Sequence, residues 1–340
     1  MQIRTAYSLL IKLSRSRMKT VRRANKYRGF AETAATPLIA GGLTVIALDI
    51  ARRIFRHTQL FCPSREPEKS WNPADYGINR ELVDEIWFET DDGEMLHGWY
   101  CRSEKPIASA VLCHGNTGNL TQMASIIRPL QDSGINAMLF DYRGFGKSTG
   151  TPSYAGVVSD AITAGRFHDS IRPKHLPSIL YGYSLGGAVA AQAIRHHPFD
   201  GLILQSTFTN LPDMARATWP RLPLHLVAGS FFDTKNVLKH LNVPLMLIHG
   251  SADESVPSWM AHALYDACAS PKRLYLVDGA LHKDCYTRDP EKLIWAINQF
   301  AAELPVREHS IDTEVPSAVD QWIDAAFRYV RRHLRRASVA

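Results

Sequence analysis

Six short apolar runs punctuate the middle of the chain: Ala108 to Cys113, Ala137 to Phe140, Ser178 to Tyr181, Leu202 to Leu204, Leu245 to Ile248 and Leu274 to Val277. Longer stretches of helical character separate them. An apolar run without alternation fits a strand covered on both faces, and helices between such strands serve as crossover connections. The pattern therefore predicts a doubly wound, mostly parallel α/β domain. Ahead of these runs the period drops to two. Asp84 to Thr90 and Met95 to Cys101 flank Asp91-Asp92-Gly93, which predicts an antiparallel hairpin. No internal repeat or low-complexity tract interrupts the series.

One junction between strand and helix carries a chemical signal. The run Ser178-Ile179-Leu180-Tyr181 leads into Gly182-Tyr183-Ser184-Leu185-Gly186-Gly187, and an Ala-rich helical stretch to Ala193 follows at once. Gly-x-Ser-x-Gly by itself is a common turn sequence. Set between a strand and a helix it predicts a nucleophile elbow, in which a serine stands clear of the backbone and the helix aims its first N–H groups at a developing oxyanion. A serine hydroxyl attacks poorly at neutral pH, so it needs a histidine as base and a carboxylate to fix that histidine's tautomer.

Composition adds bounds. At 340 residues, with 45% hydrophobic and 21% charged, the chain has material for one large domain with appendages. Its net charge of +6 is uneven: residues 1–56 hold 12 Lys and Arg against 2 acids, while residues 57–315 hold 22 against 29. The basic excess thus belongs to the ends, which argues against nucleic-acid binding by the folded face. The 5 cysteines, Cys62, Cys101, Cys113, Cys268 and Cys285, lack paired metal or disulfide spacing and read as reduced thiols. No metal or cofactor is expected. Gly144-Phe145-Gly146-Lys147-Ser148 ends like a phosphate-binding loop, but the first glycine of that motif falls on Asp141, so nucleotide binding is not expected.

The chain is expected to divide into a basic N-terminal segment (1–56), a Pro- and Ser-rich linker (57–78), the α/β domain (79–305), and a linker with a C-terminal helix (306–340). Within the first segment, residues 33–51 approach the length of a membrane span. Asp49 and Gly41-Gly42 weaken that reading, so a span, a peripheral or packed helix and a processed targeting segment all stay open. In the last segment Val319, Trp322, Ile323, Phe327, Val330 and Leu334 recur at helical spacing beside Arg328, Arg331, Arg332, Arg335 and Arg336. That is a basic amphipathic helix, suited to a membrane surface or to packing on the domain. Between Ser206 and Val243, Pro212, Pro220 and Pro223 break a short helical region. It bears Phe208, Met214, Trp219, Leu224, Phe231 and Phe232, and reads either as a small cap over the site or as residues packed on the sheet.

The elbow around Ser184, His114-Gly115-Asn116-Thr117-Gly118-Asn119 after one strand, Asp141 to Ser148 after the next and Leu281-His282 near the end together resemble the α/β-hydrolase superfamily. More narrowly they look like its membrane-associated serine hydrolases, which include the abhydrolase-type depalmitoylases and many bacterial members, and like its serine aminopeptidase-like hydrolases. The likeness covers roughly Asn72 to Leu304. It implies the catalytic order Ser184, Asp253, His282, with His282 after the last strand and Asp253 after the strand before it. Glu254 and Asp278 are the competing acids, and His249 is read as a packing residue. The oxyanion donors implied are the N–H groups of Leu185 and Asn116, with His114 supporting the Asn116 loop. The resemblance implies a serine esterase or thioesterase working through an acyl-enzyme on a small-molecule or lipid-like ester at a membrane. The alternatives are a serine peptidase of aminopeptidase type and a catalytically idle, membrane-tethered scaffold.

Overall fold

The computed structural model describes residues 60–306, apart from 223–224, 226–228 and 230. The expected N-terminal segment with its apolar stretch 33–51, the C-terminal amphipathic helix and Leu224 lie outside the described residues. Among the described residues no helix is long and apolar enough to cross a membrane.

Five of the six apolar runs lie inside an eight-stranded sheet; the sixth, Leu274 to Val277, lies on its edge strand, where only Val277 of the run is buried. Its strands are β2 (Val83–Glu89), β3 (Met95–Cys101), β4 (Ala108–Cys113), β6 (Ile135–Phe140), β7 (Ser178–Tyr183), β8 (Gly201–Gln205), β9 (Leu245–Gly250) and β10 (Lys272–Val277). Their spatial order is β10-β9-β8-β7-β4-β6-β3-β2. From β10 to β6 every pairing is parallel, and the hairpin β2–β3 adds antiparallel at one edge. Every residue of β4, β6, β8 and β9 is buried, as double-faced burial requires, whereas edge strands β2 and β10 keep exposed positions.

Alternation along each strand builds two cores. In β4, Val111 and Cys113 face one side, and Ala110 and Leu112 the other. The first core is completed by α2 (Tyr154–Ile171), α3 (Leu185–Ala193) and α6 (Trp259–Ala267), the second by α1 (Ala124–Asp132), α7 (Cys285–Arg288) and α8 (Pro290–Ala302). Full burial of each large aliphatic or aromatic side chain in these layers contributes roughly 1.5–3 kcal/mol, so the strand ends are set on a stiff base.

The region after β8 serves both of the roles expected of it. Phe208, Met214 from α4 (Leu211–Thr218) and Trp219 border the cavity above the sheet. Phe231 and Phe232 instead pack on Tyr154 with ring centroids 4.6 Å away, and Phe232 is fully buried ahead of α5 (Thr234–Leu238). All five cysteines are free, and only Cys62 is exposed. Cys62 lies in a segment expected to be a linker; there β1 (Cys62–Pro63) pairs in parallel with β5 (Thr117–Gly118), in the loop after β4.

Candidate active site

The three residues ordered by sequence as serine, acid and base meet at the carboxyl ends of β7, β9 and β10. Ser184 is the residue between β7 and α3, and its backbone sits at φ 55°, ψ −120°. That region is unfavourable for a residue with a Cβ and costs on the order of 1–3 kcal/mol. The glycines make the turn possible. A Cβ on Gly182 would collide with the Gly186 carbonyl, one on Gly186 with the Cys113 carbonyl, and one on Gly187 with Thr207. The turn is then held by the Ser184 amide donating to the Gln205 carbonyl at 2.8 Å and by the Thr207 hydroxyl donating to the Ser184 carbonyl at 2.7 Å.

A serine at a helix start ordinarily turns its hydroxyl onto the first N–H groups of that helix. Here the strained backbone swings Ser184 away, and α3 has no side-chain cap. The hydroxyl goes to His282 instead, with Oγ and Nε2 3.0 Å apart. On the far side of that ring, Nδ1 lies 2.8 Å from Asp253 Oδ2. An ionised carboxylate only accepts, so the ring proton belongs on Nδ1, and Nε2 is left with the lone pair that faces the serine.

Asp253 is locked from several directions. Its Oδ1 accepts the amides of Ser255 at 2.9 Å and Val256 at 2.8 Å. His249 Nε2 lies 2.8 Å from the Val256 carbonyl and 3.3 Å from Asp253 Oδ2, so it carries a proton that the carboxylate shares. Burial works against the ionised form of Asp253, but the hydrogen bonds from His249 and His282 outweigh it and hold this carboxyl well below the usual range. His249, expected only to pack, is therefore a second partner of the acid. Of the competing acids, Asp278 accepts from the Ser251 hydroxyl at 3.3 Å, and Glu254 borders the same cavity as Ser184 and His282.

Tyr183 carried no signal in the sequence, because it fills a variable position of the elbow. Its ring lies 5.3 Å from the His282 ring, and its hydroxyl donates to the His282 carbonyl at 3.2 Å. Above these groups opens a cavity of about 640 Å³. Ser184, Leu185, Gly115, Asn116 and His282 border it, and Leu211, Met214, Trp219, Val256 and Pro257 give it an apolar wall. Among the described residues no group of three or more His, Cys, Asp or Glu side chains is placed to hold a metal ion.

Residues 104–237 match the family described as serine aminopeptidase, S33. An uncharacterised protein of Mycobacterium tuberculosis, Rv2307c, is 30% identical over 284 residues, covering 82% of this chain and 97% of its own length. The zebrafish (Danio rerio) lysophosphatidylserine lipase ABHD12 is 32% identical over 227 residues, which take in 60% of this chain and 56% of that protein. Among solved structures, the Pyrococcus furiosus esterase Pf2001 superposes with a TM-score of 0.59 at 20% identity, over 72% of this chain and 98% of its own, a likeness of fold. The chain belongs to the α/β-hydrolase superfamily, and its activity is that of a hydrolase.

Proposed function

We propose that the protein is a serine hydrolase that cleaves an ester or thioester through an acyl-enzyme. The observation that carries this reading is the unbroken line from Ser184 Oγ to His282 Nε2 at 3.0 Å and from His282 Nδ1 to Asp253 Oδ2 at 2.8 Å, beneath an open cavity. Ser184 Oγ bonds to the acyl carbon as its proton passes to His282 Nε2, and the carbonyl oxygen takes the negative charge. His282 then gives that proton to the departing alcohol or thiol. A water molecule repeats the sequence on the acyl-enzyme and releases the acid. Asp253 stays ionised throughout and holds the imidazolium, a role its depressed pKa suits. The Leu185 N–H at the uncapped start of α3 and the Asn116 N–H are the donors proposed for the oxyanion.

The apolar wall supports an acyl group of lipid-like or small-molecule character. A second reading, an aminopeptidase, has the family match over residues 104–237 in its favour, and Glu254 offers the cavity a carboxylate for a substrate ammonium. A chain-length series of p-nitrophenyl esters measured beside an amino-acid p-nitroanilide separates the two. Ester turnover that rises with chain length is expected. Turnover of the anilide alone would overturn the ester reading.

Within this proposal residues 79–305 form the catalytic domain, residues 57–78 lead into it, and residues 1–56 and 306–340 attach it to membranes. The full-length protein is expected to bind anionic vesicles at low salt and to leave them as salt rises, because arginines near such a surface contribute about 1 kcal/mol each. Full-length protein that ignores these vesicles at low salt would remove the membrane role.

A further inference from the structure

The chain ahead of the sheet grips the loop that carries the Asn116 amide. In the β1–β5 pairing, the Cys62 amide donates to the Asn116 carbonyl and the Ser64 amide to the Gly118 carbonyl, both at 2.8 Å. Asn119 answers from the loop. Its Nδ2 donates to the carbonyls of Ser64 at 3.2 Å and Glu66 at 2.6 Å, while its Oδ1 accepts from the Thr121 amide and hydroxyl. Asn119 is 1% exposed, so its end of these bonds is shielded from water.

The same segment is tied down on its other side. The Gly146 amide donates to the Ser64 carbonyl at 3.0 Å, and the Arg65 guanidinium donates to the carbonyls of Gly146 and Ser148. Asp141 Oδ1 accepts the Leu120 amide at 2.6 Å, which closes the connection from the loop after β6 back to the loop after β4. The Asp141–Ser148 stretch thus anchors this segment.

Inside the gripped loop, His114 Nδ1 lies 2.8 Å from the Gly115 carbonyl. That carbonyl only accepts, so Nδ1 carries the proton. The peptide is trans, and the carbonyl and N–H of one trans peptide point in opposite directions. His114 therefore turns the Asn116 N–H away from itself, while Cys62 fixes the next carbonyl along. Of two successive peptide planes, one is set by His114 within the loop and the next by Cys62 from outside it.

We infer that residues 62–66 act as an oxyanion clamp: through the Cys62 amide and Asn119 they orient the Asn116 N–H and so set the rate of acyl transfer. This rests on the proposed roles of Ser184 and Asn116. A segment that merely tethered the chain would contribute stability and leave the chemistry alone.

Full-length Cys62→Pro deletes the N–H that donates to the Asn116 carbonyl. Loss of a whole oxyanion donor costs about 10²–10³-fold in kcat, and a misaimed one should cost part of that, about 10–100-fold, with KM changed less than about threefold. The rate of phosphonylation by a fluorophosphonate should fall in parallel, because its phosphoryl oxygen enters the same hole. Cys62→Ala keeps the N–H and is expected to restore kcat. Asn119→Asp keeps the acceptor bonds to Thr121 but faces the Ser64 and Glu66 carbonyls with a carboxylate, so it should also lower kcat, and it decides the matter alone if Cys62→Pro does not fold. Wild-type kcat with a lowered Tm in these variants would overturn the clamp. If instead Ser184→Ala kept full activity, the nucleophile assignment would fall first.

Discussion

Two loops meet over Ser184, and they are held in opposite ways. The turn between β7 and α3 depends on its own residues: Gly182 and Gly186 admit backbone neighbours and Gly187 the Thr207 side chain where a Cβ would collide, and Ser184 sits at φ 55° with Gln205 and Thr207 of the next strand and its loop pinning its amide and carbonyl. The loop between β4 and α1 is fixed from outside. Its carbonyls are engaged by Cys62 and Ser64, more than fifty residues earlier in the chain, and by His114 at its root. The contrast teaches that one proposed oxyanion donor depends on the glycines of its own turn and the other on bonds from a segment far away in the chain. Mutations should therefore damage the two in different ways.

After loss of the proposed nucleophile itself, the largest effect should come from the residue proposed to align the base. Asp253→Asn keeps the shape of the acid but offers His282 the wrong hydrogen-bond pattern, and a loss of about 10⁴ in kcat is expected. If Asp253→Asn turns over normally while Glu254→Gln is dead, the acid lies one residue further on. By contrast Asn116→Ala should cost less than about tenfold in kcat, since the proposed contribution of this loop is a main-chain N–H and its grip reaches the backbone. A loss as deep as that of Asp253→Asn would mean that the Asn116 side chain itself takes part.

The strain in the elbow can be read as stability. Ser184→Gly gives the φ 55° position to the one residue that adopts it freely. Relief of strain should exceed the extra freedom of glycine in the unfolded chain, leaving a dead enzyme about 1 kcal/mol more stable. A drop in Tm would show that the elbow is not strained.

The smallest effect concerns the far anchor of the clamp. Arg143, in the loop after β6, donates to Asp92 in the β2–β3 turn at 2.7 and 3.0 Å and to buried Asp160 at 2.7 and 2.9 Å. The hydrogen bond from Arg143 brings the Asp92 carboxyl down to about 2, against an ordinary value near 3.9. A carboxyl lowered on folding stabilises the protein above its unfolded pKa, and that stability is lost as pH falls toward the folded value. Asp92→Asn should thus be less stable by on the order of 1 kcal/mol at pH 7, allowing for solvent screening at this partly exposed site, and the gap should close between about pH 4 and pH 2. A gap that persisted at pH 2 would assign the loss to packing.

The same contrast explains how much the sequence revealed. Double-faced strands show as unbroken apolar runs and the edge hairpin as alternation, so the layered fold was legible. The elbow was legible because its glycines, serine and flanking strand and helix are contiguous. Asp253 and His282 were reached through the resemblance, and the structure brings His282 between Ser184 and Asp253. His249 was misjudged because its partner Asp253 fixes its proton only once β9 and the loop after it fold back on each other. Phe231 and Phe232 match Phe208 in hydropathy, so only their packing on Tyr154 separates core from cavity wall. Nothing in the composition of Cys62 to Glu66 marks it as a partner of Asn116, because main-chain donors leave no trace in side-chain identity.

The central claim is that Ser184, activated through His282, is the nucleophile. Intact-mass and peptide mapping of the full-length protein after treatment with a fluorophosphonate tests it directly. One adduct per chain, confined to the peptide that contains Ser184, lost in Ser184→Ala and matched by a fall in ester turnover on the order of 10⁴–10⁶, is the predicted result. An adduct on another residue, or a Ser184→Ala protein that still labels and still turns over ester, would contradict it.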